Sequence, residues 1–263
     1  MSISVTQLTT TLLTNDTFKQ HVASSNPLIT LETLGSPHTR PSHFEPSPYD
    51  QFISYLVRHR FSAMNGIEAI DTRVEDVVDF LGKDWDESGG LDQNPELVSL
   101  VRSYMIYMKR GKSTSDIVAD IYNVSIGHSM FFGRSDTFRD TNLPSTHFLS
   151  DDMLEDIFDY VASFRGKDFL INPDLSNSHG IKGDANLIVN DELIAIKTYV
   201  TEVGSELTDF YSLYVYAVLY FEKYGRKLQK LTIYNPLLSY ARSVACGEFE
   251  AGVVGKWLGE MCL

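Results

Sequence analysis

The chain has 263 residues, 43% of them hydrophobic and 22% charged, which excludes general disorder and allows a sizeable core. Its 35 Asp and Glu outnumber its 22 Lys and Arg, and the net charge of −13 excludes a non-specific nucleic-acid binder held by bulk positive field. No apolar run reaches the ~20 residues of a membrane span, and two cysteines, Cys246 and Cys262, make neither a disulfide framework nor a zinc knuckle.

The first residues lack the basic and apolar regions of a secretory leader, so the expected setting is a reducing cytoplasm with no membrane partner. In chain order, a threonine-rich and therefore weak helix is predicted over 5–23. An irregular loop follows over 26–48, where Pro27, Pro37, Pro41, Pro46 and Pro48 remove backbone donors. Helical spacing of Phe52, Ile53, Leu56 and Val57 predicts a helix over 49–64, stopped at Asn65-Gly66. Further helices are predicted over 67–81, 95–108 and 114–132, the second opened by Pro95 and followed by Gly111. The N-terminal region, 1–149, is thus expected to be helical.

From 150 onward the pattern changes. Ser150 is a candidate cap for a helix running to about residue 164, with Asp151 and Asp152 in its first turn. Strands are predicted over 168–171, 185–189 and 193–198, with Asn190-Asp191 as the tight turn between the last two. An aromatic-rich helix over 206–224 ends at Gly225, a strand over 228–234 ends at Asn235-Pro236, and a weak strand over 240–246 and a helix over 253–261 close the chain. The expected fold is α/β: a mixed sheet flanked by helices over 150–263, with an α-helical N-terminal elaboration, in one compact unit.

The chemistry is expected in the segment from Gly183 to Thr198. In a hairpin, alternate residues share a face. Asp184 and Asn186 therefore share one parity on the first strand, and Ala195 and Lys197 share one on the second. A lysine ending an apolar strand beside a polar strand end is unusual for a plain core hairpin.

This segment resembles the active-site hairpin of the PD-(D/E)xK nuclease superfamily, and more narrowly RecB-like members whose hairpin reads G-x-x-D-L-I, a short turn, then L-I-D-I-K-T. The predicted order of helix, three strands, helix and strand is also that family's, the restriction-endonuclease-like fold. A weaker match reaches Tyr49-Asp50, where related chains carry a phenylalanine-aspartate pair ahead of an apolar helix. The resemblance implies Mg²⁺- or Mn²⁺-dependent DNA hydrolysis. Two carboxylates hold the metal, which activates a water, and the lysine offsets developing charge.

Carried over residue by residue, the acids fall on Asn186 and Ala195, the lysine on Lys197, and the helix Q-x-x-x-Y pattern on Ser212 and Tyr216. An amide and a methyl do not replace two carboxylates around a hard dication. Asp184, two residues before Asn186, is the best local replacement, and Asp184 with Asn186 is the expected metal pair if a metal binds. Glu155 offers a helix acid, but its acidic neighbours read as a solvated face. The expectation is hydrolysis that is absent or attenuated, with no cofactor if the site is degenerate. Two alternatives stand beside it: a non-catalytic scaffold binding a protein partner or nucleic acid, and an active nuclease whose acids were replaced by Asn and Ala.

The rest of the chain adds little. Phe210, Tyr211, Tyr214, Tyr216, Tyr220, Phe221 and Tyr224 spread round most of their helix, which reads as packing rather than a base-stacking platform. Two basic clusters, around Arg102 to Lys112 and Lys223 to Lys230, are the local patches through which DNA would be reached. No His pair has zinc spacing, His38 reads as a surface loop residue, and neither a phosphate-binding loop nor a nucleophile elbow is present.

Overall fold

A computed structural model describes residues 3–14, 30–40, 46–66, 95–109, 111–131, 149–164, 168–176, 181–183, 185–198 and 205–246. The elements in chain order are β1 (Ile3–Ser4), α1 (Val5–Thr14), β2 (Thr30–Thr33), α2 (Pro46–Asn65), α3 (Pro95–Met108), α4 (Val118–Phe131), α5 (Asp151–Ala162), β3 (Phe169–Ile171), β4 (Ile181–Lys182), β5 (Leu187–Val189), β6 (Glu192–Ile196), α6 (Ser205–Tyr224), β7 (Lys230–Asn235) and β8 (Tyr240–Ala245). A 3₁₀ turn at Ser115–Ile117 leads into α4. The helices expected over 67–81 and 253–261 lie outside the described residues.

The main sheet has six strands in the order β2-β8-β7-β6-β5-β3. Strands β3, β5 and β6 pair antiparallel, β6 and β7 pair parallel, and β7, β8 and β2 pair antiparallel. A parallel neighbour needs a crossover, and α6 supplies it between β6 and β7. A separate parallel pair joins β1 to β4. The class is therefore α/β, a mixed sheet flanked by helices.

Strand alternation divides the core in two. Leu187, Val189, Ile194, Ile196 and Tyr234 face a cluster built with α2, α4 and α5. Ile188, Leu193, Ala195, Leu231 and Ile233 face a second cluster built with α1 and α6. Each fully buried aliphatic or aromatic side chain contributes about 1.5–3 kcal/mol, so both layers hold the sheet in place. The aromatics of α6 mostly lie in the second cluster, as packing predicts, while Phe221 and Tyr224 remain exposed.

Local signals account for the boundaries. The Ser150 side chain accepts a hydrogen bond from the Met153 N–H and so caps α5. Asn190, at φ 53°, makes the hairpin turn. Gly225, at φ 66°, ends α6 and returns its N–H to the Phe221 carbonyl.

One stretch differs from expectation. The proline-rich segment carries strand β2, an edge strand paired with β8, and its end is tied down by the His38 N–H to the Leu237 carbonyl. Proline content argues against a central strand but tolerates an edge one, and Thr30–Thr33 contains no proline. Among the described residues no helix is long and apolar enough to cross a membrane.

Candidate functional site

The register Leu187↔Ile194 and Ile188↔Leu193 extends to set Asn186 opposite Ala195. Lys197 follows the end of β6, and its N–H donates to the Tyr234 carbonyl on the parallel neighbour. Lys197 thus lies at the carboxyl end of β6, and Asn186 just before the start of its antiparallel neighbour β5. Asp184 lies outside the described residues.

Odd-numbered positions of β6 face α6. Lys197 accordingly meets Asp209, in the second turn of that helix, with Nζ 3.1 Å from Oδ1. From the other side α2 contributes Asp50. Its Oδ1 accepts from the Thr198 N–H at 3.0 Å and from the Thr198 hydroxyl at 3.1 Å. Burial raises the Asp50 carboxyl above its ordinary pKa, against the lowering effect of Lys197 and the two Thr198 hydrogen bonds. Burial works the other way on Lys197, but Asp209 and then Asp50 outweigh it, and its pKa stands raised. The ammonium is therefore kept charged, compensated by two carboxylates.

Asn186 is also committed. Its Oδ1 accepts from the Ile196 N–H at 3.2 Å and its Nδ2 donates to the Ser54 hydroxyl at 3.3 Å. Ala195 is buried and presents only a methyl. Ser212, at the helix position of the family glutamine, donates its hydroxyl to Thr9 Oγ1 at 3.3 Å, joining α6 to α1. Tyr216 is half-buried within electrostatic reach of Lys197 and packs over Gly183. Glu155 is exposed, as a solvated face predicts.

Gly183 is where close packing demands a missing side chain. A Cβ there would stand 2.6 Å from Val5 Cγ2 and 2.8 Å from Tyr216 Cε1. Gly183→Ala is expected to lower stability by about 1–3 kcal/mol, since one added methyl must displace two packed side chains. Urea unfolding measures this, and an unchanged midpoint would refute the packing argument.

Sequence reasoning missed Asp209, and it treated Asp50 only as part of a weaker match. A signal for Asp209 existed. It precedes Tyr216 by seven residues, two helical turns, and so shares the face of α6 on which Tyr216 lies. Thr198 carried no such signal, because its role is to donate to a residue 148 positions away.

The residues that the family resemblance assigns to a divalent metal do not fit one. Asn186 uses its oxygen internally, Ala195 has no donor, and among the described residues no group of three or more His, Cys, Asp or Glu side chains is gathered for a metal. Three residues of the second basic cluster are paired with acids. Lys223 lies 3.7 Å from Asp174, Arg226 3.5 Å from Asp191, and Lys230 3.0 Å from Glu192. Cys246 is half-buried, its thiol pushed up to about 11 by burial, which suits an inert side chain; Cys262 lies outside the described residues. Compared with protein-family models, curated proteins and solved structures, the chain matches none.

Proposed function

We propose that this is a protein of nuclease-like fold in which metal-dependent DNA phosphodiester hydrolysis is absent or attenuated, and which acts by binding a protein partner. The observation that carries the proposal is the internal use of the site. The Asn186 amide holds backbone and Ser54, while the Lys197 ammonium is paired with Asp209 and lies within electrostatic reach of Asp50. A lysine between two carboxylates makes a locally negative site, which repels rather than recruits a phosphodiester. The order α5, antiparallel β3-β5-β6, crossover α6, parallel β7 supports the nuclease-like reading, because it is the order the hairpin resemblance implies. Net acidity and the acid-paired basic residues favour a protein partner over DNA.

The test compares the chain as it stands with the double variant Asn186→Asp, Ala195→Asp on labelled single- and double-stranded DNA with Mg²⁺ or Mn²⁺. Aspartate is isosteric with Asn186 and can accept from both the Ile196 N–H and the Ser54 hydroxyl, so the first change is accommodated. The expected result is no cleavage by the unmodified chain, and metal binding by calorimetry with cleavage in the double variant. Efficient cutting by the unmodified chain would overturn the proposal and place Asp184 first among the ligands. A folded double variant that binds neither metal would remove the nuclease-like reading of the hairpin.

A further inference from the structure

The outer face of α3 reverses the pattern of an ordinary surface helix. At about 100° per residue, Leu100, Ser103 and Tyr107 fall on one side, and Val98, Arg102, Met105 and Lys109 fall on the opposite side. The first three are buried. A polar ladder fixes that orientation: the Ser103 hydroxyl donates to Asp120 Oδ1 at 2.8 Å and accepts from Asn123 Nδ2 at 2.8 Å, both on α4. Leu100 seats against Gly127 of α4, where a Cβ would stand 2.7 Å from its methyls. Tyr107 holds the far end, its ring 5.7 Å from that of Tyr55 and 5.4 Å from that of His59 on α2. A serine thus faces inwards while Met105, 67% exposed, and Val98, 40% exposed, face outwards.

The charge on this face is an independent observation. Arg102, Lys109 and Lys112, the last in the turn that follows α3, are exposed and form no ion pair among the described residues. Asp116, in the 3₁₀ turn beyond, is exposed and pairs with none of them. At the end of α6, by contrast, Lys223, Arg226 and Lys230 each meet an acid. In a chain of net charge −13, the α3 face is a local inversion of sign.

Val98, Arg102, Met105 and Lys109 are spaced four, three and four apart, the spacing of a heptad seam. Lys109 follows the last residue of α3, and its N–H still donates to the Ile106 carbonyl at 3.1 Å. Along this seam two apolar side chains about 10 Å apart alternate with two cations at the same interval, at the helical rise of about 1.5 Å per residue. A partner helix laid along it meets both sets at once, with apolar side chains on Val98 and Met105 and carboxylates on Arg102 and Lys109. A second copy of the same face is the poorer occupant, because its cations would stand against these. Nucleic acid is poorer too, because phosphates engage the cations and leave the exposed methionine and valine uncovered.

We propose that the outer face of α3 docks an acidic amphipathic helix of a partner protein, with carboxylates one heptad apart on Arg102 and Lys109 and apolar side chains on Val98 and Met105. Because α3 is held by its inner face, the surface is preformed and docking needs no rearrangement of the helix. The proposal rests on the protein-binding reading above and names its surface. The cleavage assay probes the hairpin and none of these residues, so the two can fail separately.

The probe is a fluorescein-labelled synthetic helix of three heptads with Leu and Glu alternating along its seam, titrated into the full chain by anisotropy beside a scrambled peptide of the same composition. Saturable binding about tenfold tighter than that of the scrambled peptide is expected, weakening as salt rises, with amide NMR shifts centred on α3. Arg102→Glu with Lys109→Glu should weaken it about tenfold or more, and Met105→Ala severalfold. Lys223→Glu with Lys227→Glu, at the distant end of α6, should leave it within about twofold. All of these side chains are exposed, so unchanged urea midpoints are expected to show that each variant folds. Binding no tighter than that of the scrambled peptide, or weakened as much by the 223/227 pair as by the 102/109 pair, would overturn the assignment. So would single-stranded or duplex DNA that binds this face as tightly as the peptide and is indifferent to Met105→Ala, the mark of a phosphate surface.

Discussion

Replacing Asp50 by alanine is expected to lower stability by about 2–4 kcal/mol, whereas Asp50→Asn is expected to cost under about 1 kcal/mol. The difference follows from what the carboxyl does. Alanine leaves the N–H of Thr198, itself 4% exposed, without its acceptor, and leaves Lys197 with Asp209 alone. Asparagine keeps an oxygen for Thr198 and removes a charge that burial disfavours. The sign of the pH dependence provides a separate check. The carboxyl's folded pKa lies above its unfolded 3.8, so the unfolded chain ionises first as pH rises. Asp50 therefore adds stability as pH falls from its raised value toward 3.8, and Asp50→Asn should lose that increment. Denaturant titrations of the three proteins across the acid range test both statements. Equal losses for Ala and Asn would show that the charge, and not the hydrogen bonds, holds the junction of α2 with the end of β6.

A second large effect comes from His59, on α2 and 3% exposed, whose Nδ1 lies 3.0 Å from Thr114 Oγ1 and whose ring packs 5.4 Å from that of Tyr107. Burial, with a smaller contribution from the Arg60 charge, pushes its pKa down to about 4. The unfolded chain takes up the proton near pH 6.5 while the folded one resists until about pH 4, so stability is full above 6.5 and is lost as pH falls through that window. The loss amounts to about 3 kcal/mol, because each tenfold difference in proton affinity between the folded and unfolded chain is worth about 1.4 kcal/mol. It is opposite in sign to the Asp50 contribution, which rises as pH falls. His59→Gln, though less stable near neutrality, should show a flatter acid limb. Parallel stability profiles for the two proteins would mean that His59 does not titrate there.

Both effects sit where two distant segments meet, and this marks what the sequence could and could not reveal. The helix over Pro95–Met108, the capped α5, the Asn190 turn and the α6–Gly225 stop were legible because each is governed by neighbours within a few residues. The hairpin register was legible for the same reason, since a tight turn and alternating apolar residues specify it. Edge strand β2 was not, because Thr30–Thr33 has all four residues exposed and becomes a strand only through its pairing with β8. Likewise Asn186 and Lys197 could be singled out by position alone, but not their partners. Ser54 is 132 residues from Asn186 in the chain, and Asp50 is 148 residues from Thr198.

The α/β class from residue 150 onward, the position of the hairpin, and the absence of carboxylates at 186 and 195 are all written in the order of the residues. Those properties are local, set by side-chain period, turn chemistry and residue identity. Packing in three dimensions was needed to establish that Lys197 pairs with Asp209 within electrostatic reach of Asp50, and that a cavity lined by Glu32, Asp156, Asp159 and Glu192 lies at the other end of the strand. Charge compensation and cavities depend on which surfaces meet when helices from distant parts of the chain pack on the two faces of one sheet, and no local pattern encodes that meeting.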